Sequence, residues 1–126
     1  MVDTKYNAEH IWARLDDHGM VVVGISDHAQ EQLGDIVYVE LPDVGRDVAA
    51  GDEIAVIESV KTTSEISTPV SGTILEINEY LGDRPEIINE SPLEEGWLVR
   101  IESDDTSELG AMMAEDAYDE FVAAET

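Results

Sequence analysis

The chain contains no cysteine. That removes disulfides, thiolate metal sites and cysteine nucleophiles from consideration. Positive charge is almost as scarce, with 6 Lys and Arg against 30 Asp and Glu and a formal net charge of −24. Phosphate binding needs clustered cations, so this charge argues against DNA or RNA as a partner, and against anionic membrane surfaces. No apolar run approaches the ~20 residues of a membrane-spanning helix. The opening MVDTKYNAEH has neither an apolar signal core nor the Arg-rich, acid-poor character of a transit peptide. The expectation is a soluble, cytoplasmic protein. Its surface acidity strains the compact state by self-repulsion, which salt screens, and this points to a source that lives at high salt.

Catalytic arrangements are also missing. The only imidazoles are His10, His18 and His28, which do not have the helical spacing of a metal pair. There is no Gly-x-Ser-x-Gly elbow and no Gly-rich phosphate loop. Acids are numerous enough to form a chance carboxylate pair, which therefore carries no weight. His10, beside Trp12, reads as a packing or hydrogen-bonding residue. Asn89–Ser91 matches a glycosylation sequon, which we read as chance. An enzyme acting alone is disfavoured.

What is present is a series of short apolar-alternating runs separated by Gly and Pro. A length of 126 residues with 43% hydrophobic content fits one globular domain. Met20–Ile25 is a β-branched run. Asp27 with Gln30 resembles a capping box, and Gly34 stands where a helix stops, so a short helix is expected between them. Residues 35–42 read as a strand, with Val37, Val39 and Leu41 on one face and Ile36, Tyr38 and Glu40 on the other. Another strand places Ile54, Val56 and Val60 opposite Ala55, Ile57 and Ser59. Two more follow, broken by Pro69 and Gly72. Residues 81–96 read as a loop. Residues 97–102 form a last strand, with Trp97, Val99 and Ile101 inward. From about 104 to 124, Leu109, Met112, Met113, Tyr118 and Phe121 recur at helical spacing and indicate C-terminal helices packed on the strands, with cap candidates in Ser103–Glu108. The fold class is mainly β, a small sandwich or barrel with a short internal helix and a C-terminal helical addition.

One lysine stands out. The chain has two, Lys5 and Lys61. Apolar alternation enters the segment Lys61–Glu65 from both sides, so the simplest geometry is a hairpin with its tip at or near Lys61. A surface that elsewhere replaces lysine with acid does not need lysine there for solvation. Amide formation through a primary amine does need it, and arginine is no substitute. Glu58 and Glu65 nearby favour the charged ammonium, so a modifying enzyme has to remove a proton first.

The motifs Glu58-Ser59-Val60-Lys61, Pro69-Val70-Ser71-Gly72 and Gly96-Trp97-Leu98-Val99 resemble those of the glycine cleavage H-protein family, and the likeness runs from about Tyr6 to Phe121. The resemblance implies a barrel-sandwich hybrid in which Lys61 carries lipoate in amide linkage, with Glu58, Val60 and Glu65 as recognition neighbours at the tip. It implies a non-catalytic swinging-arm carrier in one-carbon metabolism and glycine catabolism, with a reach on the order of 10 Å or more. A pyridoxal-phosphate-dependent glycine decarboxylase would load an aminomethyl group. An aminomethyltransferase would pass the methylene to tetrahydrofolate, and a flavin-dependent dihydrolipoamide dehydrogenase would reoxidise the dithiol. A lipoyl-attaching enzyme completes the implied partners. One departure is notable: the family usually reads His-Glu-Trp where this chain has His10-Ile11-Trp12, and the acid there is associated with holding the loaded arm. Glu9 is the nearest substitute. Two alternatives stay open. One is an H-like relay donating lipoate to other enzymes, kept alive by Ile11. The other is a biotin carrier, disfavoured because Val60 and Thr62 stand where that class has methionines.

Overall fold

The computed structural model describes residues 4–103 and 106–125. Among the described residues, nine strands form two antiparallel sheets. The larger has the order β1-β2-β3-β9-β8-β5: β1 Lys5–Tyr6, β2 Ile11–Leu15, β3 Val21–Ile25, β9 Val99–Ser103, β8 Gly72–Ile77 and β5 Asp47–Val48. The smaller has the order β4-β6-β7: β4 Ile36–Glu40, β6 Glu53–Ser59 and β7 Thr63–Ser67. Helix α1 spans Asp27–Leu33, α2 Tyr80–Asp83, α3 Ile87–Glu90 and α4 Glu115–Glu125, with a 3₁₀ turn at Thr106–Ala111. None of these helices is long and apolar enough to cross a membrane.

The main core lies between the sheets. Val21, Val23, Ile25, Ile74, Val99 and Ile101 meet Ile36, Val39, Ile54, Ile57 and Ile66 there. The run Val21–Ile25 is unbroken by polar residues because both faces of β3 are covered. The reverse face turns Val22 and the fully buried Trp12 into a second cluster with Tyr6 and Tyr118, closed by Phe121 and Val122 of α4. Trp12 pairs across the ladder with Gly24, and a methyl group at Gly24 would stand 2.7 Å from the indole. The indole N–H donates to the Pro92 carbonyl at 2.9 Å, and the Arg14 guanidinium lies 4.6 Å above the ring.

The two ends of the chain clasp each other on this face. Tyr6 and Met113 exchange both backbone hydrogen bonds, at 2.8 and 2.7 Å, and the Tyr6 ring stacks on Tyr118 at 4.3 Å. Burial, aided by Glu115, pushes the Tyr6 phenol above its ordinary range.

Several expectations are corrected. Helix α1 is capped by Ser26, whose hydroxyl accepts from the Ala29 amide. Asp27 is the first helical residue and accepts from the Gln30 side chain. A bulge between Ile36 and Tyr38 breaks the alternation in β4, leaving Val37 and Tyr38 both exposed and Ile36 and Val39 both buried. A second bulge between Glu53 and Ala55 buries Ile54 and Ala55 together, while Val60 is 67% exposed. The stretch 81–96 is not a loop throughout. It holds part of α2 and all of α3, which bury Leu81, Ile87 and Ile88. At residues 97–102 it is Leu98, not Trp97, that is fully buried. Trp97 lies half-covered beneath the Arg100 guanidinium at 4.2 Å. The strand pair β1–β2, which no periodicity signalled, ties the N-terminus to the large sheet. The cap candidates Asp104 and Asp105 lie outside the described residues.

Candidate functional site

Strands β6 and β7 form a hairpin with Glu58 paired to Thr63, and Ser59–Thr62 closes it with Val60 and Lys61 as the central residues. Tight hairpin turns usually demand glycine, because one or both central residues take positive φ. Here neither does. Ser59 does the work instead. Its amide donates to the Thr62 carbonyl at 2.8 Å, and its hydroxyl accepts from the amides of Lys61 and Thr62 at 3.2 and 3.1 Å. The tip is fastened to the body by the Val60 amide, which donates to the Asp35 carbonyl at 3.0 Å. Lys61 is thereby presented in solvent on a turn whose four amides, Ser59 to Thr62, all have acceptors.

The lysine stem rests against Gly34, the C-cap of α1, with φ 82°. A methyl group there would stand 3.0 Å from Lys61 Cε, so glycine serves both the left-handed cap and the passage of the stem. Beneath it, Asn89 of α3 is a bracket. Its side chain donates to Gln30 Oε1 and the Gly34 carbonyl, both at 2.9 Å, and accepts from the Ile36 amide at 2.9 Å. The apparent sequon is thus a structural asparagine with all its amide hydrogens committed.

The expected neighbours are placed differently from one another. Val60 is the exposed apolar residue beside the lysine. Glu58 is half-buried on β6, and Glu65 is exposed on β7 opposite Val56. Among the described residues neither carboxylate pairs with Lys61. Glu65 acts instead on Glu53: as a hydrogen-bond partner, and by its charge, it holds the Glu53 carboxyl protonated to higher pH than usual.

A cleft of about 190 Å³ opens beside the hairpin. Its walls are Glu9, His10 and Ile11 from the N-terminal turn, Ile25, Ala29, Gln32 and Leu33 from β3 and α1, and Ser64, Glu65 and Ile66 from β7. Gly34, against which the lysine stem rests, follows directly on Gln32 and Leu33 of the cleft wall. The lining combines an apolar floor with two carboxylates at the edge, a setting for an extended apolar chain ending in a cation.

Two packed sheets carrying a lysine-tipped hairpin define a barrel-sandwich hybrid of the lipoyl-domain class. Residues 4–125 match the family model described as glycine cleavage H-protein. The chain belongs to the glycine cleavage H-protein family. It is 53% identical over 116 residues to the glycine cleavage system H protein of Psychrobacter sp. (strain PRwf-1), covering 92% of both chains. It is equally identical over 116 residues to that of Alcanivorax borkumensis, covering 92% of this chain and 90% of the relative. The crystal structure of a glycine cleavage system H protein from Mycobacterium marinum superposes with a TM-score of 0.87 at 35% identity, covering 96% of this chain and 97% of that one.

Sequence reasoning missed Ser59, Gly34 and Asn89 as makers of the tip. Ser59 carries a readable signal, a hydroxyl two residues before a solvent-facing lysine with no glycine between. Asn89 carries none, because its partners lie 53 to 59 residues away.

Proposed function

We infer that the chain is the lipoyl-bearing carrier protein of a glycine cleavage system. In that role it carries an aminomethyl group from the glycine decarboxylase to the aminomethyltransferase and is reoxidised by dihydrolipoamide dehydrogenase. The observation that supports it best is the exposed primary amine of Lys61 on a turn whose amides are all hydrogen-bonded. Lys61 is the attachment residue for lipoate, and the lipoyl group supplies a redox-active dithiol that holds the one-carbon cargo. Glu58 and Val60 mark the tip for the attaching enzyme. Gly34 leaves room for the stem. The cleft from Glu9 to Ile66 receives the arm between visits, with Glu9 and Glu65 facing a positively charged terminal amine. Ile11, buried in the wall, contributes only apolar surface to it, so Glu9 supplies the charge that the family usually places one residue later. The whole chain is one carrier domain of the cytoplasm and performs none of the chemical steps itself.

Reconstitution tests this. The lipoylated protein, added to the decarboxylase with pyridoxal phosphate, is expected to support glycine-dependent carbon dioxide exchange. A lipoylated protein that fails in that assay, yet donates lipoate to other acceptor domains, is a relay protein instead.

The charge of −24 supports a source adapted to high salt. Raising ionic strength from about 0.1 to 1 M shortens the screening length from roughly 10 to 3 Å. Relief of about 1 kcal/mol of repulsion then raises the melting temperature by roughly 4 °C. A melting temperature unchanged by sodium chloride in a thermal scan would remove the proposal.

A further inference from the structure

Large apolar side chains are few on this acidic surface, and they gather. Among the described residues those left exposed are Val37, Tyr38, Val44, Val60, Leu75 and Tyr80. Three of the six lie at the base of the Lys61 turn: Val60 at 67%, Val37 at 54% and Tyr38 at 48%. The register of β4 against β6 puts them there. Ile36 faces Ser59 and Tyr38 faces Glu58, so Val37 is the extra residue of the bulge between those pairs. Partners across a ladder share a face. Tyr38 therefore stands on the outer face with Glu58, while Val39 and Ile57 take the inner one. The Val60 amide, bonded to the Asp35 carbonyl, brings the tip down beside the start of β4.

The bulge decides the character of this patch. Strict alternation would send one of Val37 and Tyr38 inward, whereas the added residue leaves both in solvent. They also sit on an edge strand, since the small sheet runs β4-β6-β7. Exposed apolar residues on a sheet edge invite association, and charge is the usual remedy. This chain has acid to spare and does not use it there. Asp35, Glu40 and Glu58 rim the patch instead, so the face that fits it is apolar with cationic edges.

We propose that Val37 and Tyr38, with Val60, form the docking surface for the enzyme that attaches lipoate. This rests on the reading of Lys61 as the attachment residue. The choice of partner follows from reach. Before attachment, the amine stands only a lysine side chain, about 6 Å, from the turn backbone. The attaching enzyme must bring to it the carbonyl carbon of an activated lipoyl group, a mixed anhydride or thioester. The neutral amine attacks, the amide C–N bond forms, the activating group leaves and nitrogen releases one proton. That enzyme has no tether to work along, so its surface has to cover the turn and the strand beside it. Enzymes that act later meet the dithiol at the far end of an arm reaching on the order of 10 Å or more, and are spared this requirement.

The test uses the full-length unmodified protein with lipoate, ATP and a lipoate ligase. Initial rates of attachment are measured against carrier concentration. In the double variant Val37→Thr, Tyr38→Thr, which keeps β-branched residues on the strand, the KM for the carrier is expected to rise about tenfold with kcat little changed. Tyr38→Phe, which keeps the apolar surface, and Leu75→Thr, on β8 of the other sheet, should leave KM as it is. Once fully lipoylated by prolonged incubation, the double variant should support carbon dioxide exchange at the wild-type rate. Val60→Thr, which leaves β4 untouched, should raise KM as well and serves if the double variant does not fold. A KM unchanged in the folded variants overturns the proposal. An exchange rate that falls as far as attachment overturns the choice of partner. Self-association of the wild type that the double variant abolishes, with attachment unaffected, assigns the patch to a second copy and overturns it too. A wild-type protein that takes no lipoate on Lys61 overturns the attachment reading itself.

Discussion

Lys61→Arg is expected to leave the protein folded and abolish its function. Lys61 is exposed and, among the described residues, its side chain makes no hydrogen bond or ion pair, so stability should change by no more than about 0.5 kcal/mol. Arginine keeps the positive charge and a similar length. A guanidinium does not form the amide, however, so the attaching enzyme has nothing to acylate. Intact mass after incubation with lipoate and its ligase should equal that of the unmodified variant, and carbon dioxide exchange should fall to the level seen with no carrier present. The scarcity of lysine sharpens the result, because the sole competitor is Lys5, half-buried in β1. Lipoate found on Lys5, or exchange activity surviving in Lys61→Arg, would refute the assignment of the attachment residue.

Gly72→Ala is expected to be the most damaging single methyl group. Gly72 pairs with Ser103 of β9 on one side and with Val48 of β5 on the other. A Cβ there would stand 2.1 Å from the Glu102 carbonyl oxygen and 2.8 Å from Ile101 Cγ2. The obstacle is backbone of the neighbouring strand, which moves only if the ladder opens. Overpacking of this kind costs about 3 kcal/mol, the upper part of the usual range. At that size a melting temperature falls by roughly 10 °C. Urea titration should show the midpoint drop, and Gly82→Ala, with nothing within 4 Å of its new methyl, should leave it within error of the parent. Equal midpoints for Gly72→Ala and the parent would show that the strands are not packed as described.

Much of this architecture was readable in the residues. The hairpin at Lys61 followed from apolar alternation running into Lys61–Glu65 from both directions, and helix α1 followed from its polar start and Gly34. The C-terminal helices followed from the spacing of Leu109, Met112, Tyr118 and Phe121. What stayed hidden has physical causes. The bulges at Ile36/Tyr38 and Glu53/Ala55 reset side-chain alternation by one residue, which a strict period of two has no means to express. Helices α2 and α3 have four residues each, too few to display a helical period, so Pro85 and Pro92 dominated that stretch. Trp97 looked like core by composition, yet Arg100 covers it from the solvent side. The cleft brings together Glu9 and Glu65, 56 positions apart, and only the folded chain sets them on one rim.

The serine-braced turn also bears on how quickly a tethered group finds its target. Both amides following Val60 are held by the Ser59 hydroxyl, so the pivot adds little wandering of its own. The volume swept by the free end is then set by the length of the side chain and whatever is joined to it. A smaller swept volume means a higher local concentration at any catalytic pocket docked within range. A pair of glycines at the same place would widen the sphere and dilute the cargo at each docking site.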